Sequence, residues 1–427
     1  MNLADRYDVV VVGGGTAGVM AALQAARAGA ATLLVEKNGI LGGTTTVAGV
    51  AYPGLFHAWG RQIIAGIGWE LVRRCVAEAG GTLPDFAKPA RSHPEHQVRL
   101  NPALYACLCD EALVAAGAGL RFHTMAAAAV PDGAGWRLTL CTKSGLCELR
   151  AAVLIDGTGD ADLCALAGAA LRTPAVAQPG TLRVRATGYE VARLDFAALE
   201  EAFAAALGRG EVKPQDATWD VAHPRLAGWL RQAGGGANHI GASAAHTSAG
   251  RTDMELAGRQ ALLRMVRFLR RQPGMEHLSL DTLAPECGVR ETATIIGDVM
   301  ISEADYVSGR LWPDAVCYSF YPIDLHLDGG SGLDCRPLAE GVVPTVPRGA
   351  LLPQGTRNLL AAGRCLSSDR LANSALRVQA TCMATGQAAG ALAALAARGG
   401  SEVRDVPLVE VHGLLRQHGA IVPPLAG

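Results

Sequence analysis

The sequence has almost no net charge: 38 Lys and Arg stand against 39 Asp and Glu, leaving −1. That excludes the broad electrostatic field by which a protein binds nucleic acid or an anionic membrane. Aromatic residues are scarce at 5% and charged residues modest at 18%, yet half of the chain is hydrophobic. A disordered chain needs the opposite balance. No run approaches the ~18 uninterrupted apolar residues of a membrane span. No basic leader, apolar segment and cleavage site precede the strand-like residues 7–12, so no secretory signal is expected and the cytoplasm is the expected compartment. No Cys-x-x-Cys pair occurs among the 11 cysteines; the closest are Cys107 with Cys109 and Cys141 with Cys147. A zinc ribbon or redox dithiol is therefore not indicated, and the cysteines read as small buried hydrophobes in a reducing compartment. At roughly 100–200 residues per domain, the 427 residues correspond to about two or three domains.

What the chain does have is glycine in a telling place. Residues 8–12 read as a buried parallel strand, a β-branched run without alternation. Gly13-Gly14-Gly15-Thr16-Ala17-Gly18 follows at once, then a helix-like stretch 19–28 stopped by Gly29, a second strand 31–35, and Glu36. This is a complete dinucleotide unit. Gly13 permits the tight turn, Gly15 lets the backbone approach a pyrophosphate, and Gly18 lets helix and strand pack closely. The helix N-terminus presents free N–H groups and the positive end of its dipole to phosphate. Glu36 is placed to accept from a ribose hydroxyl and disfavours a 2′-phosphate.

Three later segments favour a flavin over a nicotinamide dinucleotide. Leu41-Gly42-Gly43-Thr44-Thr45-Thr46 offers small residues and hydroxyls along a ribityl chain. Residues 153–160 form an apolar strand ending in Asp156-Gly157-Thr158-Gly159-Asp160. Residues 358–362 read as a strand before Gly363-Arg364, and a helix spans about 378–397. Its small, polar start around Val378, Ala380 and Thr381 would stabilise negative charge on a reduced isoalloxazine. Candidate cofactor contacts are therefore Gly13, Gly15, Thr16, Ala17, Gly18, Glu36, Lys37, Gly42, Gly43, Thr44, Thr45, Thr158, Gly159, Asp160, Gly363, Arg364, Val378, Ala380 and Thr381.

Longer stretches carry a resemblance. They are GGGTAG (13–18) with Glu36, LGGTTT (41–46), FHAWGRQIIAGIGWEL (56–71), IDGTGDADLCALAGA (155–169), ECGVRETATIIGDVMISEADY (286–306), YPIDLH (321–326) and GRCLSSDRLANSALRVQATCMATGQAAG (363–390). With these the chain resembles the flavoproteins with a glutathione-reductase-type FAD domain, in their broad FAD-dependent oxidoreductase branch. The fingerprint is shared by many flavoproteins; the 286–326 and 363–390 blocks are more specific, and residues 170–235 match poorly. The resemblance implies an α/β fold: a discontinuous Rossmann-like FAD-binding domain, residues 1–170 and 346–427, with an inserted α+β substrate or cap domain, residues 171–345. It implies FAD and leaves the substrate open.

Elsewhere, helices are expected at about 62–79, 101–116 (Asn101 capping, Pro102 in the first turn), 196–207 and 253–271. Strands are expected at 120–130, 136–140, 151–156 and 182–189. The arginines 259, 264, 267, 270 and 271 read as a solvated helix face.

Flavin oxidation of a C–H bond needs N5 near the carbon, a base for a departing O–H or N–H proton, and donors that hold the substrate. His326, closing Tyr321-Pro322-Ile323-Asp324-Leu325-His326, is the first candidate base; the plain alternative is a ring held by Asp324 or a carbonyl. His57 is the second, with a loop position as its alternative. Arg290 and Arg377 are candidate clamps for an anion or for the flavin O2 edge, although Glu291 could claim Arg290 as an ion pair. Arg364 and Asp160 read as ordering the ribityl–pyrophosphate region, with a hydroxyl or backbone partner favoured for Asp160. A disulfide reductase would need CxxxxC after the first acid, and a second GxGxxG cassette for NAD(P)H is missing. Covalent flavin attachment at His57, Cys365 or Cys382 is disfavoured, and so is a metal at His93 and His96, where Pro94 breaks the helix. The expectation is a dehydrogenase or oxidase that takes a hydride from a small polar metabolite onto flavin N5, FAD being held non-covalently. The alternatives are an NAD(P)H-dependent flavin monooxygenase or reductase, and a subunit passing electrons to a partner. The electron acceptor is left unspecified, and a homodimer is left open.

Overall fold

The computed structural model describes residues 4–88, 93–241, 244–330 and 332–425. Its centre is a parallel sheet in the order Gly119–Arg121, Thr32–Val35, Arg6–Val12, Gly145–Asp156, with Leu359–Ala361 pairing the last of these. The registers Val9↔Thr32, Val10↔Leu154 and Leu360↔Ile155 are all parallel. Both faces are covered, which explains the unbroken valine run. Val9 and Val11 face helices; Val10 and Val12 face the other way, toward Trp136, Leu138, Leu140 and Leu149.

Those last residues belong to an antiparallel meander, Met125–Asp132, Gly135–Thr142 and the first part of Gly145–Asp156. The long third strand thus serves two layers. The expected single strand 120–130 is two strands, broken at His123, whose φ of 50° ends extended geometry. The expected strand 151–156 begins earlier, at Gly145.

The helical face is built by Thr16–Arg27, Pro102–Ala115 and Gln379–Gly399. The Asn101 side chain accepts from the amides of Ala103 and Leu104 and caps the second of these. Thr16–Arg27 and Gln379–Gly399 touch backbone to backbone. A Cβ on Gly386 would lie 2.1 Å from the Ala17 carbonyl oxygen, and one on Gly390 2.3 Å from that of Ala21. Gln379–Gly399 is also long and apolar enough to cross a membrane by length and composition, but 89% of its apolar window is buried in this core.

A second group of elements follows. Val184–Thr187 pairs with Gly234–Gly235 and Ser279–Leu283, and helices Phe196–Gly208 and Ser248–Leu269 pack on them. Phe203, Trp229, Met265 and Phe268 fill a separate core there. A hairpin, Ile323–His326 with Leu333–Arg336, reaches back toward the sheet. The helix expected at 62–79 is shorter, Ile67–Glu78, starting after Gly66 at φ 85°.

Candidate active site

The strand ends, the Gly13–Gly18 turn and the second group of elements enclose one cavity of about 1010 Å³. That lies at the upper end of the ~300–1,000 Å³ usual for ligand sites. Its floor is the glycine turn. A Cβ on Gly13 (φ 99°) would meet Gly157 at 2.6 Å, and one on Gly18 would meet the Gly13 oxygen at 1.8 Å, so chain packing requires both glycines. Gly15 differs: a Cβ there would find no atom nearer than 3.8 Å, and the residue lines the cavity. The open space beside it is where a pyrophosphate fits, over a helix N-terminus that no side chain caps.

Glu36 lines the same wall and is buried. Its carboxylate accepts from the amides of Gly14 at 2.6 Å and Asn38 at 2.8 Å, so it holds the turn as well as facing the cavity. Burial raises its pKa, and the two amides oppose that shift. Lys37 lines the cavity and pairs with Glu286. Thr16, Ala17, Gly43, Thr44, Thr158, Gly159, Asp160, Gly363, Arg364 and Val378 also lie on the wall.

The remaining expected cofactor residues lie behind it. Gly18 packs on Gly13, and the Gly42 amide donates to the Gly14 carbonyl at 2.9 Å. The Thr45 hydroxyl donates to Gln379 Oε1 at 2.6 Å. The Ala380 amide donates to the Pro53 carbonyl at 2.7 Å, and Thr381 Oγ1 lies 2.9 Å from Ser319 Oγ. These residues brace the wall without forming its surface.

Asp160 sits beside the expected phosphate position with two arginines on it. Arg251 Nη2 lies 2.6 Å from Oδ2, Arg364 pairs with Oδ1, and the Thr292 hydroxyl donates at 2.7 Å. Burial alone would raise this carboxyl; Arg364, Arg251 and Thr292 outweigh it and hold the pKa below its usual value. Arg364 further donates to the Gly159 carbonyl at 2.7 Å and to that of Val289. It thereby ties three chain segments together.

Also on the cavity wall lie His326, Asp324, Arg290, Arg377, Tyr321 and Trp219. His326 Nδ1 is 2.9 Å from His239 Nε2, and its Nε2 is 3.6 Å from Asp324 Oδ2. Trp219 stands edge-on to the His326 ring at 5.0 Å and nearly parallel to that of His239 at 6.1 Å. Burial, with Arg290 and Arg377, pushes the His326 pKa down to about 4 against the pull of Asp324. Burial, Arg290 and His326 push His239 to about 3. Both rings are neutral at pH 7. Asp324 is held at about 2: burial opposes this, and His326, Arg377 and Arg290 prevail.

The two candidate clamps separate. Arg377 Nη2 donates to Asp324, 2.9 Å to the carbonyl and 3.3 Å to Oδ2. Arg290 donates to the Pro179 carbonyl at 2.6 Å and forms no ion pair among the described residues. Glu291 turns away from it, accepting from Arg370 Nε at 3.1 Å and from the Gln178 amide at 2.8 Å. Burial and Arg377 lower the Arg290 pKa to about 9, against the pull of Asp324.

His57 does not reach this cluster. It lies off the cavity wall, stacked on Phe86 at 3.7 Å with Trp69 at its edge, and its Nδ1 is buried without a partner. Cys382 lines the cavity, whereas Cys365 is buried behind it. His96 Nε2 lies 3.0 Å from the Lys88 carbonyl; the side chain of His93 falls outside the described residues.

Several wall residues carry no sequence motif. Arg183 and Arg251 come from the second group of elements, and His239, which backs His326 from behind the wall, arrives through the bridge Gly180↔Ile240. Only long-range pairing reveals them; the one local sign was Gly234-Gly235-Gly236 just before Asn238-His239.

A segment of 53 residues is 53% identical to dihydrolipoyl dehydrogenase of Trypanosoma brucei brucei, covering 12% of this chain and 11% of that protein. The chain thus spans about a tenth of the length of that curated relative. Among solved structures, p-nitrophenol 4-monooxygenase PnpA from Pseudomonas putida DLL-E4 aligns at TM-score 0.45 and 10% identity, over 96% of this chain and 84% of that one. OxyS anhydrotetracycline hydroxylase from Streptomyces rimosus aligns at TM-score 0.31 and 20% identity, over 42% of this chain and 38% of that one. Residues 8–415 match the family described as FAD dependent oxidoreductase, nearly the whole chain, and the protein belongs to that family.

Proposed function

We propose that this FAD-dependent oxidoreductase is a dehydrogenase or oxidase of a small polar metabolite. The observation that carries the reading is the polar cluster of His326, Asp324, Arg290 and Arg377 on the wall of the same cavity that the dinucleotide cradle lines. In this reading the cradle residues Gly15, Thr16, Glu36, Thr44 and Thr158 hold FAD non-covalently, in a glutathione-reductase-type domain made of residues 1–170 and 346–427. Residues 171–345 are the inserted α+β domain that faces the substrate.

When bound, the flavin supplies a two-electron acceptor at N5. The chain's own residues manage position and protons. His326 is neutral at pH 7 and available as a base. In this reading the lone pair of the neutral His326 ring takes the substrate's O–H or N–H proton, while His239, 2.9 Å from Nδ1, and Asp324, 3.6 Å from Nε2, hold the ring in place. The imidazolium so formed points at Asp324, which stays ionised. Trp219 and His239 fix the ring plane.

The test is anaerobic mixing of the yellow protein with a metabolite panel, followed at the flavin band. One class of polar metabolite bleaches the wild type, and His326→Gln slows bleaching by about 100-fold or more, the range of a lost general base. Equal rates would remove His326 from proton transfer. Rapid bleaching by NADH or NADPH alone, with none by metabolites, would replace the dehydrogenase reading with a monooxygenase or reductase.

A further inference from the structure

We propose that the cavity wall at His326 receives the carboxylate of an organic acid, with the Arg290 guanidinium as its counter-ion. The proposal rests on the oxidoreductase reading and names the class of its substrate.

The argument is one of charge and donors. Of the carboxylates on the cavity wall, Asp160 pairs with Arg251 and Arg364, Glu286 with Lys37, Glu255 with Arg259, and Asp324 with Arg377; Asp162 and Glu36 belong to the cradle side and do not act on Arg290. Glu291, next in sequence, serves Arg370. Arg290 has a cavity face and spends one donor on the Pro179 carbonyl. A guanidinium carries five N–H donors in a planar fork, so most of its capacity is unspent. Within the cluster two guanidiniums face one carboxylate, and the two histidines are neutral. A positive excess remains on the cavity wall, and a partly buried charge there favours a counter-ion. A carboxylate matches the fork with two parallel bonds. Arg290 is close enough to His326 and Asp324 to perturb both. An acid seated on it therefore lies on the same stretch of wall as the base.

The experiment is equilibrium dialysis of the FAD-loaded protein against labelled propionate, benzoate and succinate, each beside its amide. At least one acid binds ten-fold or more tighter than its amide. Arg290→Gln abolishes that preference, and Arg290→Lys restores part of it. Acids and amides retained alike, or an Arg290→Gln protein that keeps the preference, would overturn the proposal. Should Arg290→Gln misfold or lose flavin, phenylglyoxal modification of the wild type, mapped at Arg290, decides the matter. Protection by acid but not amide supports the site, and equal modification overturns it. Dialysis needs no turnover, so the two ideas fail separately. If the redox reading alone is wrong, acid preference persists with no metabolite bleaching the flavin; if the acid site alone is wrong, an uncharged metabolite bleaches it.

Discussion

At the scale of single residues, the buried histidines link the site to acid stability. Burial lowers His57 and His326 to about 4 and His239 to about 3. In the unfolded chain a histidine titrates near ~6.5. The unfolded state therefore takes up protons first on acidification. The stability these neutral rings permit is complete above pH 6.5 and is lost progressively as the pH falls toward 4. His57 offers the clean probe, because its Nδ1 is buried without a partner and its ring stacks on Phe86. His57→Phe keeps the stack and removes the orphan atom, so it is neutral or stabilising at pH 7.5. Between pH 7.5 and 5 the variant loses about 1 kcal/mol less than the wild type by urea unfolding, the partial exposure of the ring having trimmed the figure. Identical losses would show that His57 does not titrate below its ordinary range. The same residue shows where sequence reading stops. His57 and His326 look alike as histidines in quoted motifs, yet one joins an aromatic stack and the other the cavity. What separates them is the contact of His326 with His239, 87 positions away, which no local pattern encodes.

At the scale of elements, the cradle depends on two helices meeting without side chains between them. Gly386 and Gly390 present bare backbone to Ala17 and Ala21. Gly386→Leu forces Thr16–Arg27 away from Gln379–Gly399, at about 1–3 kcal/mol or more for over-packing. Because Thr16 and Ala17 line the cavity, the loss appears twice, as a lower urea midpoint and as less flavin per protein. A full flavin complement would mean that the cradle tolerates the shift. The cradle was readable beforehand because strand, glycine turn, helix and acid are contiguous, and each glycine's requirement is local. Lengths were less readable. The strand Gly145–Asp156 extends beyond its apolar half because its first part pairs with a hairpin partner and not with the parallel sheet. The helix Leu408–Gln417 went unforeseen; its Val411 and Leu415 are buried but offer only a short stripe.

At the scale of the whole molecule, the cavity joins regions that have cores of their own. The nucleotide sheet is buried between two clusters, and the Val184–Thr187 layer has another. Arg364, Asp160 and Arg251 cross between them. A ligand gripped by both sides stabilises the folded form by mass action. Protein stripped of flavin is expected to melt several degrees lower, and returning FAD at about 100 times its dissociation constant adds roughly 2.7 kcal/mol. Calorimetry with and without added FAD checks this, and superimposable transitions would argue against a cofactor bridging the two sides.

The pairing of Leu359–Ala361 with Leu154–Asp156, and the seat of Gln379–Gly399 on Thr16–Arg27, set an order of events during synthesis. The first strand, turn and helix leave the ribosome before the segments that complete their sheet and cover their helix. A nascent chain must wait with its phosphate-binding turn half built, its valine strand short of a neighbour. Until those later segments have emerged, an adenine nucleotide meets an unfinished pocket.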